Sequence, residues 1–230
     1  MKRAALLLLV AALGACSHPA GWQRVEPGTA PGDVAVSIHR SPELGTIAYR
    51  GVIEVQQDPA TVLLALADFA HYPDWLFRCR AMEVRPDAWG PAHARVIING
   101  LGPVAGRDIV LRNRIELEPT TRTLVIRSRT VEGVVPHADG LVRMPELANV
   151  FRERPRDNGR TEVTFRTAFD AGRHLPERLL ARVARRVPET SLTALADRLE
   201  NERYQLQNLD SLPLTFAQLR ALLLSRGEEP

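Results

Sequence analysis

A change of period constrains this chain more than any other feature of its sequence. Over the middle of the chain, apolar side chains recur at every second position. In the C-terminal third they recur at helical spacing. Ile47, Tyr49, Gly51, Ile53 and Val55 alternate with more polar residues, the signature of a half-buried strand. Ile109, Leu111, Asn113, Ile115 and Leu117 share one face, against Val110, Arg112, Arg114, Glu116 and Glu118. Val163, Phe165, Thr167 and Phe169 share another, against Glu162, Thr164, Arg166 and Ala168. Glu118-Pro119 and Asp157-Asn158-Gly159 are turn signals between such runs, so residues from about 79 to 170 read as a meander of antiparallel strands. Leu192, Leu195, Leu199 and Leu206 then fall on one helical stripe. A sheet followed by an amphipathic helix must bury that helix on its apolar face, which gives an α+β architecture. If the sheet curves, helix and sheet enclose a space between them.

Shorter signals punctuate this pattern. Asp58-Pro59 predicts a helix N-terminus, with Val62, Leu66 and Phe69 following at helical spacing. His71-Tyr72-Pro73-Asp74-Trp75 breaks or turns that helix. Thr215 with Gln218, and Leu214 with Leu219, predict one more helix near the C-terminus.

The first residues carry a different message. Lys2 and Arg3 precede an apolar run, Ala4 to Leu13, and Leu13-Gly14-Ala15-Cys16 closes it. A basic start, a short apolar segment and small residues before a cut site describe a secretory signal. The run is shorter than the roughly 20 residues that span a bilayer. The tetrapeptide resembles the bacterial lipobox, which implies cleavage before Cys16 and acylation of its sulfur. Two or more acyl chains hold a protein on a membrane stably. Ser17 resembles the residue that permits export to the outer membrane, which implies an anchor there facing the periplasm. The expected organisation is a signal over 1–15, a lipidated Pro/Gly-rich tether over 16–33, a folded domain over 34–207 and a helical extension over 208–230.

Composition narrows the partners. The formal charge of +3 includes Lys2 and Arg3, so the side chains beyond the signal sum to about +1 (3 − 2). No nucleic-acid partner is expected from so balanced a chain. Cys79 is the one cysteine after Cys16, so the domain holds together without an internal disulfide. His18, His39, His71, His93, His137 and His174 show no metal-ligand spacing. No G-x-S-x-G elbow, phosphate-binding loop or dinucleotide fingerprint occurs, so no cofactor and no metal are expected. No pair of residues stands out as nucleophile and base.

Several segments together resemble the START lipid-transfer family. They are Gly106-Arg107-Asp108-Ile109-Val110, Leu141-Val142-Arg143, and Phe169-Asp170-Ala171-Gly172 through Leu175-Pro176, with Asp68, Pro73 and Trp75 upstream. The resemblance covers roughly residues 22–206. It implies the helix-grip fold, a curved antiparallel sheet gripping a long C-terminal helix around a lipid cavity. Carried over to this chain, it places Ile109, Leu111 and Asn113 on the cavity side of one strand. Val142, Met144 and Glu146 would lie on a wall, Val163, Phe165 and Phe169 on the strand before the helix, and Ser191, Leu195 and Leu199 on the helix itself. Trp75 would either plug a core end or line the cavity mouth. Where some members carry an arginine, this chain has Asn113, whose amide must be satisfied by a protein group or by a ligand's polar head. Arg107 and Asp108 face opposite sides of a strand and are expected to act structurally. The chain has Asp170-Ala171-Gly172-Arg173 where the family often has Asp-Pro-Gly-Gly.

These readings converge on non-enzymatic binding of a lipid or other hydrophobic molecule by an envelope lipoprotein. Two alternatives stand beside it: a helix-grip enzyme of cyclase or hydrolase type, and a protein-interaction module of the envelope.

Overall fold

The computed structural model describes residues 22–30, 32–41, 46–89, 92–102, 104–118, 120–170, 177–200 and 204. The signal, Cys16, Ser17, residues 171–173, Leu206 and the expected last helix lie outside them. The described strands are β1 (Trp22–Glu26), β2 (Ala35–Ser41), β3 (Thr46–Val55), β4 (Cys79–Glu83), β5 (His93–Ile98), β6 (Arg107–Glu118), β7 (Thr123–Thr130), β8 (Val142–Arg143), β9 (Leu147–Pro155) and β10 (Thr161–Asp170). The helices are α1 (Pro59–Ala67), α2 (Tyr72–Trp75), α3 (Pro86–Trp89) and α4 (Glu177–Leu199). The sheet runs β1-β2-β3-β10-β9-β7-β6-β5-β4, and β8 adds to β6 in parallel. All the other pairings are antiparallel. The meander from β4 to β10 is the one its alternation predicts. The tertiary step is the closing of β10 on β3, which brings the two ends of the chain's strand region side by side.

One boundary differs from expectation. The tether read over 16–33 contains β1, whose Trp22 pairs in register with His39 of β2. Trp22 meets the His39 ring at 5.6 Å with the planes tilted by 31°, and receives the guanidinium groups of Arg50 and Arg166 on its faces. Arg185 of α4 also meets Glu26 at 2.7 Å. An aromatic ring with three partners outweighs the breaking tendency of the Pro- and Gly-rich residues that follow it.

The α1 helix starts as predicted, with Asp58 Oδ1 accepting from the backbone N–H groups of Ala60 and Thr61. Its Val62, Leu63, Leu64 and Leu66 are all buried, each contributing roughly 1.5–3 kcal/mol. The chain then makes a 3₁₀ turn over Phe69–His71 and the short α2, where Tyr72 donates to the carbonyl of Leu66. The α4 helix contacts β2, β3, β10, α1 and α2. It comes close to the sheet at Gly51, where a Cβ would stand 2.6 Å from Pro188 and 2.7 Å from Leu192. Only glycine lets the helix lie this near the sheet.

Two buried acids lock the periphery. Asp68 is wholly buried and accepts from Tyr204 at 3.0 Å, with His71 Nδ1 at 2.9 Å. Arg198 of α4 donates to Tyr204 at 2.6 Å and to Asp74 at 2.9 Å. This network ties the C-terminal half of α4 to α1 and α2. Asp108 faces outward and accepts from Arg143 at 2.7 and 3.0 Å and from Arg95 at 3.3 Å. Burial alone would push its carboxyl up, but the two guanidinium groups outweigh that and hold it below the usual carboxylate range. Arg143 reaches on to the carbonyls of Val135 and Pro136, so Asp108 pins the segment that folds over the outer face of β6.

Candidate ligand-binding site

The inward face of the sheet can be read row by row, because register fixes which residues stand side by side. One row is Leu111, Thr130, Leu147, Phe169 and Ile47 across β6, β7, β9, β10 and β3. The next is Asn113, Ser128, Asn149, Thr167 and Tyr49. The third is Ile115, Ile126, Phe151, Phe165 and Gly51, and the fourth Leu117, Leu124, Glu153, Val163 and Ile53. A cavity of about 240 Å³ lies over the first three rows. Leu66, Ala67 and Phe69 close it on one side, and Asn99, Gly100, Leu101, Val104 and Ala105 close it on another. Leu179, Val183 and Val187 of α4 also line it.

The third row makes the aromatic end. Phe151 and Phe165 stack at 4.3 Å with their planes 4° apart, and Tyr49 meets Phe165 edge-on at 5.8 Å. Trp75 stands behind them, packed on Tyr72 at 4.5 Å and on Phe151 at 6.3 Å. The second row is polar throughout. Ser128 Oγ donates to Asn113 Oδ1 at 2.7 Å, and Asn113 Nδ2 donates to the carbonyl of Ala92 at 3.1 Å. Thr167 Oγ1 donates to Asn149 Oδ1 at 2.7 Å, and Tyr49 is the register partner of Thr167 on β3. Burial drives the Tyr49 phenol far above its ordinary range, so it stays neutral.

Arg78 and Arg107 stand at the rim. Arg78 donates to the carbonyls of Asn99 and Gly100, and Arg107 to that of Ala105, so both fix backbone at the rim. Among the described residues the lining contains no carboxylate, imidazole or thiol. Cys79 is buried nearby, and burial pushes its thiol up to about 11. Among the described residues no group of three or more His, Cys, Asp or Glu side chains could hold a metal ion.

Of the residues singled out from sequence, Ile109, Leu111, Asn113, Met144, Phe165 and Phe169 line this cavity. Seven others do not. Trp75 is 2 % exposed but takes the plugging position, behind Phe151. Val142 is half exposed and outside the lining: it pairs with the rim residue Arg107, while Met144, two residues on, lines the cavity. Glu146 is exposed. Val163 is buried in the fourth row, one pleat repeat past the cavity. Ser191 accepts from the backbone N–H of Phe77 at 3.0 Å and so serves as a tie. Leu195 and Leu199 are packed core residues in the clamped half of α4.

The helix residues that sequence reasoning missed, Leu179, Val183 and Val187, precede Ser191, Leu195 and Leu199 on one row of four-residue steps. Such a row winds roughly 40° round the helix at each step, so its two ends face different surroundings. The apolar pattern marks the whole row and cannot say where the cavity stops. Among the other residues missed, Ser128, Asn149 and Tyr49 each occupy a single position in an alternating strand. Their alignment exists only across strands.

A cavity between a long helix and an antiparallel sheet invites comparison with known folds. The family model for polyketide cyclases/dehydrases and lipid transport proteins matches residues 55–196. The chain belongs to that family. A STAR-related lipid transfer protein fragment from Xanthomonas axonopodis superposes with a TM-score of 0.67 at 21 % identity, covering 79 % of this chain and 99 % of that one. Human StAR-related lipid transfer protein 5 gives 0.66 at 18 % identity, over 80 % of this chain and 88 % of its own. These likenesses show the helix-grip fold of START proteins. In sequence, an uncharacterised protein of Pseudomonas aeruginosa is 29 % identical over 130 residues, 56 % of this chain. The match spans 63 % of that relative's length.

Proposed function

We propose that this protein binds a lipid or other hydrophobic small molecule in the cavity beneath α4 and does not transform it. The observation that carries this reading is the lining itself: aromatic and aliphatic side chains from sheet, loop and helix converge on one space, with a few neutral polar groups. Desolvating an apolar body there drives binding, and the polar groups orient it. The STAR-related names of the structural neighbours and the lipid-transport half of the family description support the same reading. Against the enzymatic alternative stands a lining without acid, imidazole or thiol among the described residues, leaving two buried neutral phenols and two rim arginines as the titratable groups. The volume is just under the roughly 300 Å³ of the smaller ligand pockets, so a long-chain lipid enters only if the first half of α4 moves aside.

The same proposal extends to the setting. The lipobox-like Leu13-Gly14-Ala15-Cys16 supports an acyl anchor at Cys16, and Ser17 supports the outer membrane, facing the periplasm. Native mass spectrometry of protein purified from its own host, with identification of whatever dissociates, tests the binding. A stoichiometric lipid adduct is expected. Recovery of a chemically converted product after incubation with that lipid overturns the non-enzymatic reading.

A further inference from the structure

We infer that the ligand carries an uncharged oxygen function, such as a ketone, ester or hydroxyl, which lies against the cross-sheet polar row and accepts a hydrogen bond from the Asn149 amide. This deepens the binding reading above and rests on it. Five neutral polar side chains from five strands stand in register, all lining the cavity, with Leu111, Leu147 and Phe169 on one side and Ile115, Ile126, Phe151 and Phe165 on the other. A purely apolar ligand would need no such row.

The internal hydrogen bonds decide what the row still offers. Asn113 is committed at both ends, its oxygen to Ser128 and its nitrogen to the Ala92 carbonyl. Asn149 is committed only through its oxygen, which accepts from Thr167. Its Nδ2 donates to no protein group among the described residues, while the side chain lines the cavity. The unmet amide capacity is therefore a donor at mid-floor, and it calls for an acceptor on the ligand. A hydrocarbon in its place would leave that donor desolvated and unpaired. An anion is equally unsuited, because no cation stands in the row and a buried unpaired charge is costlier still. The two rim arginines belong to another region: Arg107 is six residues from Asn113 on β6, about 20 Å along an extended strand.

Competition against N-phenyl-1-naphthylamine, an uncharged fluorescent probe, tests the inference on the purified protein. The competitors are 2-undecanone, undecane and undecanoate, matched in carbon count. The wild type is expected to favour 2-undecanone over both others by about tenfold, the worth of one buried hydrogen bond. Asn149→Leu should collapse the ratio of 2-undecanone to undecane to within about twofold. Asn149→Asp, nearly isosteric but without N–H donors, should lower 2-undecanone affinity by about tenfold and serves if the leucine variant misfolds by circular dichroism. Equal affinity for ketone and alkane in the wild type overturns the inference. So does a preference for undecanoate, or a ketone preference that survives both substitutions. Failure of the fluorescent probe and all three competitors to bind overturns the binding reading underneath.

Discussion

Asn113 shows how one side chain can look like a ligand contact and be a piece of architecture. Its strand face otherwise carries Ile109, Leu111, Ile115 and Leu117, so its amide is the exception in an apolar series. The structure supplies protein partners for both ends of that amide, in Ser128 and the Ala92 carbonyl. Replacement by leucine is therefore expected to destabilise the empty protein by about 1–2 kcal/mol, the net worth of two ordinary hydrogen bonds. Urea denaturation measures it. Unchanged or raised stability would show that the amide had been unmet and would return the head-group role to this position. Glu146, the other polar residue assigned to the wall from sequence, is exposed and outside the lining. Asn149, one strand beyond Ser128, has the spare donor that Asn113 lacks.

The α4 helix divides at Pro188. Before it, Leu179, Val183 and Val187 overhang the cavity. After it, Leu192, Leu195 and Leu199 are almost fully buried, and Arg198 joins the network around Asp68. Proline removes a backbone donor inside a helix, so the weakest point of the ladder lies between the overhanging and clamped halves. A tryptophan should behave oppositely on the two sides. Val183→Trp is expected to fill the cavity, abolish probe binding and leave the melting temperature near that of the wild type. Leu195→Trp is expected to overpack the core at a cost of about 1–3 kcal/mol while probe binding persists in the folded fraction. Thermal denaturation and probe titration on both variants check this. Loss of binding in Leu195→Trp alone would move the cavity to the other end of the helix.

For the molecule as a whole, a helix-grip domain supplies the proposed binding site and the proposed acyl anchor supplies the location. The described residues contain no helix long and apolar enough to cross a membrane. Cys16→Ala is expected to abolish metabolic labelling with an alkyne fatty acid and to release the protein from the membrane fraction, because acyl chains gain about 0.8 kcal/mol per buried CH₂. Circular dichroism of the folded domain should not change, since Trp22, where β1 begins, lies six residues beyond the cysteine. A Cys16→Ala protein that labels like its parent would sink the anchor proposal.

The local sequence by itself determined the elements. Alternation over Ile109–Leu117 and Val163–Phe169 specified strands with one inward face, Asp58-Pro59 specified the start of α1, and the leucine stripe specified a long helix lying on the sheet. These are properties of neighbouring residues, so the chain carries them before it folds. It did not disclose that residues 22–26 join the sheet, because the ring partners that hold Trp22 come from β2, β3 and β10. Nor did it disclose which half of the α4 row faces the cavity, since that depends on where Gly51 admits the helix and where Arg198 clamps it. The polar row is the plainest case. Asn113, Ser128, Asn149, Thr167 and Tyr49 each come from a different strand, and only the register of the folded sheet brings them into one line.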